Sequence, residues 1–197
     1  MLIDRRGHVI DQRVKLELRP ILERSEMPVV HGIIVHQTDA ATAASSLNAY
    51  KTRPIGAHFL IDKDGTIYQT ASVIKRVSHV GPLRARCVAM HSCAPGEQTK
   101  IAKMKPRIRS RVEMKKSVPD RYPANDDSIG IELVGASSPG PRPNSERQYE
   151  SVTSAQNASL VWLINGLTRT MNIERTEIFR HPTVSQKTPS EASTARW

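Results

Sequence analysis

The sequence predicts an α/β fold, a single mixed central sheet flanked by helices. Three observations predict it. The β-branched runs Gly32-Ile33-Ile34-Val35 and Ser128-Ile129-Gly130-Ile131-Glu132-Leu133-Val134-Gly135 have the length of interior strands. Asp64-Gly65 stands between His58-Phe59-Leu60-Ile61-Asp62 and Thr66-Ile67-Tyr68-Gln69, a strong hairpin signal. Leu160, Leu163, Ile164, Leu167 and Met171 recur at the spacing of one helix face. A chain of 197 residues with 38% hydrophobic and 4% aromatic residues encloses one ordinary core, not two. We therefore expect one domain over 1–197, with an inserted basic region at about 82–127.

The elements follow in chain order. The first thirty residues are polar, broken by Pro20 and Pro28, and are expected to wrap the domain edge. Gly32 to His36 is the first strand, and Thr38-Asp39 then caps an alanine-rich helix through Ala40 to Tyr50. After the hairpin, Val77 to Gly81 extends the sheet. The insertion carries Cys87, Cys93, a basic stripe and a loop through Pro119, Pro123, Asn125 and Asp126. Ser128 to Gly135 returns to a core strand, and a Pro/Gly/Ser loop runs from Ala136 to Asn144. Thr153 or Ser154 caps the long helix, and Glu177-Ile178-Phe179-Arg180 forms a last strand reaching His181.

The formal net charge of +10 is uneven. Lys100, Lys103, Lys105, Arg107, Arg109, Arg111, Lys115, Lys116 and Arg121 face only Glu113 and Asp120. Such a stripe suits an anionic polymer, a membrane surface, nucleic acid or plain solvent. No aromatic residue interleaves it and no zinc-finger or helix-turn-helix pattern accompanies it, so nucleic acid is not expected as a partner. No apolar stretch reaches about 18 residues, so no membrane span is expected. The start, Met1-Leu2-Ile3-Asp4-Arg5-Arg6, lacks a secretory h-region; the expectation is a cytoplasmic protein or one exported by a specialised machine. Cys87 and Cys93 close a small loop in an oxidising compartment or stay free thiols in a reducing one.

Chemistry is expected where strands end. His36 and His181 each close an apolar run, which sets an imidazole at the rim of a sheet. Two such rims can hold a metal ion between them, since neutral imidazole binds zinc at about 2.0–2.1 Å. Glu132 lies inside an apolar strand, where an unpaired acid is costly to bury.

Four segments stand in series: Ile33-Ile34-Val35-His36-Gln37-Thr38; Ala57-His58-Phe59-Leu60-Ile61-Asp62-Lys63-Asp64-Gly65-Thr66-Ile67-Tyr68; Ser128 to Gly135; and His181-Pro182-Thr183-Val184 with Lys187 after it. Together they resemble the zinc-dependent N-acetylmuramoyl-L-alanine amidases, the superfamily of amidase-type phage lysozymes and peptidoglycan recognition proteins. The likeness covers roughly 30–80 and 128–191. It implies the fold of that superfamily, a Zn2+ cofactor, and hydrolysis of the amide between N-acetylmuramic acid and L-alanine in peptidoglycan or a muropeptide. It implies His36 and His181 as zinc ligands, Glu132 as the acid–base carboxylate and Lys187 as the oxyanion partner. The third ligand is expected eight or ten residues beyond His181; Pro189 cannot serve, so Glu191 is the expected donor, with His79 as the alternative. His79, in Ser78-His79-Val80-Gly81, matches a turn whose histidine lines the substrate cleft, although Ser78 replaces the usual tryptophan. Ala57 replaces a tyrosine common in the family, which leaves the proton chemistry to Glu132. His58 is expected to pack beneath the site. Similar bacterial chains point to an antibacterial effector, exported by type VI secretion and matched by an immunity protein when aimed at kin. A non-catalytic muropeptide-binding module of the same fold is the alternative.

Overall fold

The structure is a computed structural model that describes residues 1–140 and 146–197. Residues 141–144 of the expected Ala136–Asn144 loop therefore lie outside the described residues. The N-terminal segment is more structured than its polar composition suggests. Strands β1 (Leu2–Ile3) and β2 (Val9–Ile10) form a hairpin, followed by β3 (Val14–Leu16) and β4 (Glu23–Glu26). Strand β5 (Gly32–Gln37) is wholly buried, as its β-branched run predicts.

Helix α1 (Ala43–Ala49) begins later than expected. Its cap is Thr42, whose side chain accepts from the Ser45 amide; Thr38 Oγ1 instead accepts from the amides of Ala40 and Gly135. Asp39 adopts a φ of 57°, which keeps it out of the helix. Strands β6 (Phe59–Ile61) and β7 (Ile67–Gln69) form the predicted antiparallel hairpin. The expectation that Val77 to Gly81 extends the sheet fails. β8 (Lys75–Val77) pairs with β4 in a separate ribbon, because β3 already occupies the outer edge of β7.

The insertion holds three helices, α2 (Arg86–Ala89), α3 (Glu97–Ala102) and α4 (Pro106–Glu113), with Cys87 and Cys93 joined as a disulfide. Most of its basic residues are exposed, including Lys100, Lys103, Lys105, Arg107, Arg111 and Lys115, but not all of them serve a solvated face. Arg121 is buried against Asp127 at 2.7 Å, and Lys116 bridges Glu97 and Glu113 at 2.9 and 3.0 Å. Strand β9 (Ser128–Leu133) follows, then β10 (Ser137–Ser138), β11 (Gln148–Tyr149), α5 (Ser154–Met171), β12 (Ile178–Arg180) and the single turn α6 (His181–Val184).

The central sheet runs β12-β5-β9-β6-β7-β3, with β12, β5, β9 and β6 parallel and β7 antiparallel to β6. One face presents Ile33, Val35, Ile129, Ile131 and Leu133 to Leu160, Leu163, Ile164 and Leu167 of α5. Burying each such side chain contributes roughly 1.5–3 kcal/mol. A capping box starts α5: Thr153 and Gln156 exchange hydrogen bonds at 3.0 and 3.1 Å. The Gln156 amide then donates to the Ile61 and Val134 carbonyls, fixing the helix start over the ends of β6 and β9. The opposite face presents Ile34 to Tyr122, Val184 and Leu83, and it is on this face that β5 and β9 place His36 and Glu132. Among the described residues no helix is long and apolar enough to cross a membrane.

Candidate metal centre and cleft

Side chains alternate along a strand, so in-register partners in a parallel pair share a face. Val35 pairs with Arg180 and His36 with Glu132. The residue after Arg180, His181, therefore comes up beside His36 on one flank while Glu132 stands on the other. The His36 and His181 ring centroids are 4.2 Å apart.

Glu191 completes the cluster from the C-terminal tail. Gln37, at the end of β5, accepts from the Ala192 amide at 3.1 Å. Arg180 donates to the carbonyls of Ala192 and Ala195 at 2.9 and 2.6 Å and lies 4.7 Å from the Trp197 ring centroid. These contacts clip the tail to β5 and β12 and bring Glu191 Oε1 to 3.0 Å from His181 Nδ1 and 3.7 Å from His36 Nδ1. All three residues are buried, and their ligand atoms lie within 4.8 Å of one another. Burial raises the Glu191 carboxyl, but it is held down to about 2, first by its hydrogen bond with the His181 imidazole. Burial, then the neighbouring His181, pushes His36 down to about 4. The cluster is thus an ionised carboxylate with a neutral His36.

The remaining expected residues fall as follows. Glu132 has its Oε2 buried without a partner among the described residues, and burial followed by the Glu191 charge pushes its carboxyl up to about 8, against a smaller downward pull from Lys187. A cleft of about 760 Å³ walled by Thr38, Ser46, Tyr50, Arg53 and Gly56 opens onto Glu132. Lys187 is exposed, and its charge is felt at both His36 and Glu132. His58 is fully buried and satisfied, accepting from the Gly130 amide at Nδ1 and donating from Nε2 to the Lys75 carbonyl.

His79 is not where the sequence places it. It does not line the cleft; it sits behind His36, 8% exposed, with Nδ1 3.0 Å from His36 Nε2 and Nε2 3.2 Å from the Ser128 carbonyl. Burial, then the adjacent His36 and His58, keeps it well below its ordinary value. His181 uses Nδ1 on Glu191, and its Nε2 is buried without a partner among the described residues.

Sequence reasoning missed Gln37 and Arg180, which hold the Glu191 tail, and Tyr149. The Tyr149 amide donates to Ser190 Oγ at 3.2 Å, next to Glu191, and its phenol is raised to about 12 by burial first and then by Glu191. The polar residue ending the buried β5 run was the one available signal for Gln37.

The donor set fits a divalent zinc-like ion. Zinc bonds of about 2.0–2.2 Å in tetrahedral geometry separate the donors by roughly 3.3–3.5 Å. The 3.0 and 3.7 Å separations at Glu191 bracket that value. Two imidazoles and one carboxylate leave a fourth position open, as catalytic zinc sites do.

Comparison with known proteins places the architecture. A family model described as N-acetylmuramoyl-L-alanine amidase matches residues 25–193. No curated protein matches the chain. Among solved structures, a selenomethionine AmpD derivative superposes with a TM-score of 0.54 at 20% identity, covering 96% of this chain and 94% of its own. The catalytic domain of XlyA gives a TM-score of 0.52 at 20% identity, covering 88% and 87%. AmpDH3 from Pseudomonas aeruginosa, solved with anhydromuramic pentapeptide, gives 0.54 at 18% identity, covering 83% of this chain and 57% of its own. At such identities these structures establish the fold.

Proposed function

Because this chain belongs to the N-acetylmuramoyl-L-alanine amidase family, an enzyme class that hydrolyses an amide in peptidoglycan, we propose that His36, His181 and Glu191 hold a zinc ion for cleavage of the bond between N-acetylmuramic acid and L-alanine. One observation carries the reading. The three donors converge from the ends of β5, β12 and the tail within 4.8 Å, beside Glu132, whose buried Oε2 has no partner among the described residues. Peptidoglycan and muropeptides are the substrates of the class, and the complex of AmpDH3 with anhydromuramic pentapeptide supports the soluble fragment as one of them.

A zinc ion held by His36, His181 and Glu191 would supply Lewis acidity, polarising the scissile carbonyl and making water a competent nucleophile near neutral pH. The chain does the rest. Glu132, at the cleft wall with a free carboxyl oxygen, takes a proton from the attacking water and returns it to the departing L-alanine nitrogen. A carboxyl pushed up to about 8 is suited to both halves of that transfer near neutral pH. Lys187 offers an ammonium to the oxyanion that develops on the carbonyl. Glu191 stays ionised throughout and serves as a ligand rather than a base.

The test is incubation with purified peptidoglycan and with soluble muropeptide, with and without a chelator, with products identified by mass. We expect stem peptide with a free L-alanine amine, lost on chelation and restored by zinc. Stoichiometric zinc with no cleavage of either substrate would instead mean a recognition module.

The setting is also proposed. The Cys87–Cys93 disulfide supports action in an oxidising space such as a target periplasm, reached from the producer's cytoplasm by type VI export, with an immunity protein protecting kin. Lysis when the chain is directed to the periplasm, and none when it is kept in the cytoplasm, is the expected outcome.

A further inference from the structure

We propose that His79 is a positioning residue that fixes the tautomer of His36, so that Nδ1 of His36 carries the lone pair offered to the metal. The inference rests on the reading of His36 as a ligand. The chain of hydrogen bonds runs in one direction only. Ser128 Oγ donates to the Ala124 carbonyl at 2.5 Å, so both that hydroxyl and the Ser128 carbonyl accept at His79 Nε2, at 3.3 and 3.2 Å. His79 Nε2 therefore bears the proton and Nδ1 bears a lone pair. His36 Nε2, at 3.0 Å from that lone pair, must donate. The second nitrogen of His36 is left unprotonated, facing Glu191 Oε1 at 3.7 Å, beyond hydrogen-bond length. A lone pair and a carboxylate facing each other in a buried site repel unless a cation lies between them. Hydrogen bonding at one imidazole nitrogen sets which nitrogen a metal meets.

The surroundings hold His79 to this task. Asn125 Oδ1 accepts from the amides of His79 and Val80 at 2.9 and 2.6 Å, and its own amide donates to the Val80 carbonyl at 3.1 Å. The backbone is thus clamped on both edges. Gly130 makes room for the ring: a Cβ there would lie 2.8 Å from both Cγ and Nδ1 of His79. The glycine of the Ile129-Gly130-Ile131-Glu132 run is therefore tied to His79 by contact.

Two variants and two readouts test this. His79→Gln keeps an acceptor for His36 and a donor for Ser128; His79→Phe keeps the bulk and removes both. Zinc affinity, by competition with a chromophoric chelator, should weaken about 10–100-fold in H79F and largely recover in H79Q. Long-range nitrogen–proton correlation NMR on metal-free wild-type protein should show His36 protonated at Nε2, and this preference should be lost in H79F. Wild-type zinc affinity in folded H79F, or His36 protonated at Nδ1 in the wild type, overturns the proposal. The NMR readout needs neither metal nor variant, so it stands if H79F fails to fold. A chain with the expected tautomer but no zinc affinity would refute the metal reading and leave the tautomer relay intact.

Discussion

Glu132→Gln should make the metal-free protein more stable while making the enzyme nearly inactive. The carboxyl of Glu132 rises from 4.5 to about 8 on folding, through burial first. A raised carboxyl means that the folded state keeps a proton which the unfolded chain releases above 4.5. Stability is therefore full at low pH and is lost as pH climbs from 4.5 towards 8. Each unit of that interval costs about 1.4 kcal/mol, so roughly 3 kcal/mol is lost by pH 7. Water entering from the cleft reduces this, and about 1–3 kcal/mol is the expected range. Glutamine has the same shape and no charge to desolvate. In chelator, the acid-to-amide replacement at this site should raise Tm at pH 7 by roughly 2–12 °C, using about 2–4 °C per kcal/mol for a chain of this size. The gain should vanish near pH 4.5 and grow towards pH 8. With zinc loaded, the nearby positive charge favours the carboxylate and the gain should shrink. Turnover should fall about 10²–10⁴-fold with zinc retained. The assay is thermal unfolding across pH, paired with muropeptide cleavage. A stability difference independent of pH, or a Gln variant hydrolysing at wild-type rate, refutes the reasoning.

Lys187→Ala should lower kcat about 10²–10³-fold with zinc affinity unchanged, as loss of an oxyanion donor does; muropeptide turnover beside a zinc titration checks it. Gln37→Ala frees the Ala192 amide from β5 and loosens Glu191, so zinc affinity should fall about tenfold in a chelator competition. Arg86→Ala strips the bidentate partner, at 2.6 and 2.8 Å, from buried Glu177, and denaturant unfolding should show a loss of roughly 3–5 kcal/mol.

What the sequence disclosed was whatever its local pattern alone determines. Strands β5 and β9, the β6–β7 hairpin and helix α5 each carry enough apolar residues at one period to be recognised without neighbours. Strands of two or three residues, such as β1, β2 and β3, hold no complete period, and a polar segment conceals them. The misplacement of Val77 has the same origin: only the full sheet shows that β3 has taken the edge of β7. Of the site residues, His36, His181 and Glu132 could be read because each sits on or directly after a legible strand. The contact of Glu191 with both histidines depends on Arg180 and Gln37 reaching across to the tail, which no window of sequence contains. His79 was placed by its motif at the cleft, but its position is decided by Gly130 and Asn125, contributed by other segments.

The placement of the site follows from the parallel order of the sheet. β12, β5 and β9 run the same way, so their C-terminal ends meet along one rim, where His181, His36 and Glu132 arrive together. Their joint arrival requires register as well as direction. Ile33, Val35, Ile129, Ile131 and Ile178 all pack in the core that α5 covers, and this anchors which face each strand turns inward. A slip of one residue exchanges the faces of a strand. In β12 it would turn His181 into the hydrophobic layer and lift Ile178 out of it, so the apolar residues that hold the core also hold the imidazoles in register. The alternation that stabilises the sheet thus also leaves His36, His181 and Glu132 as neighbours on one face, with Glu132 opening to the cleft.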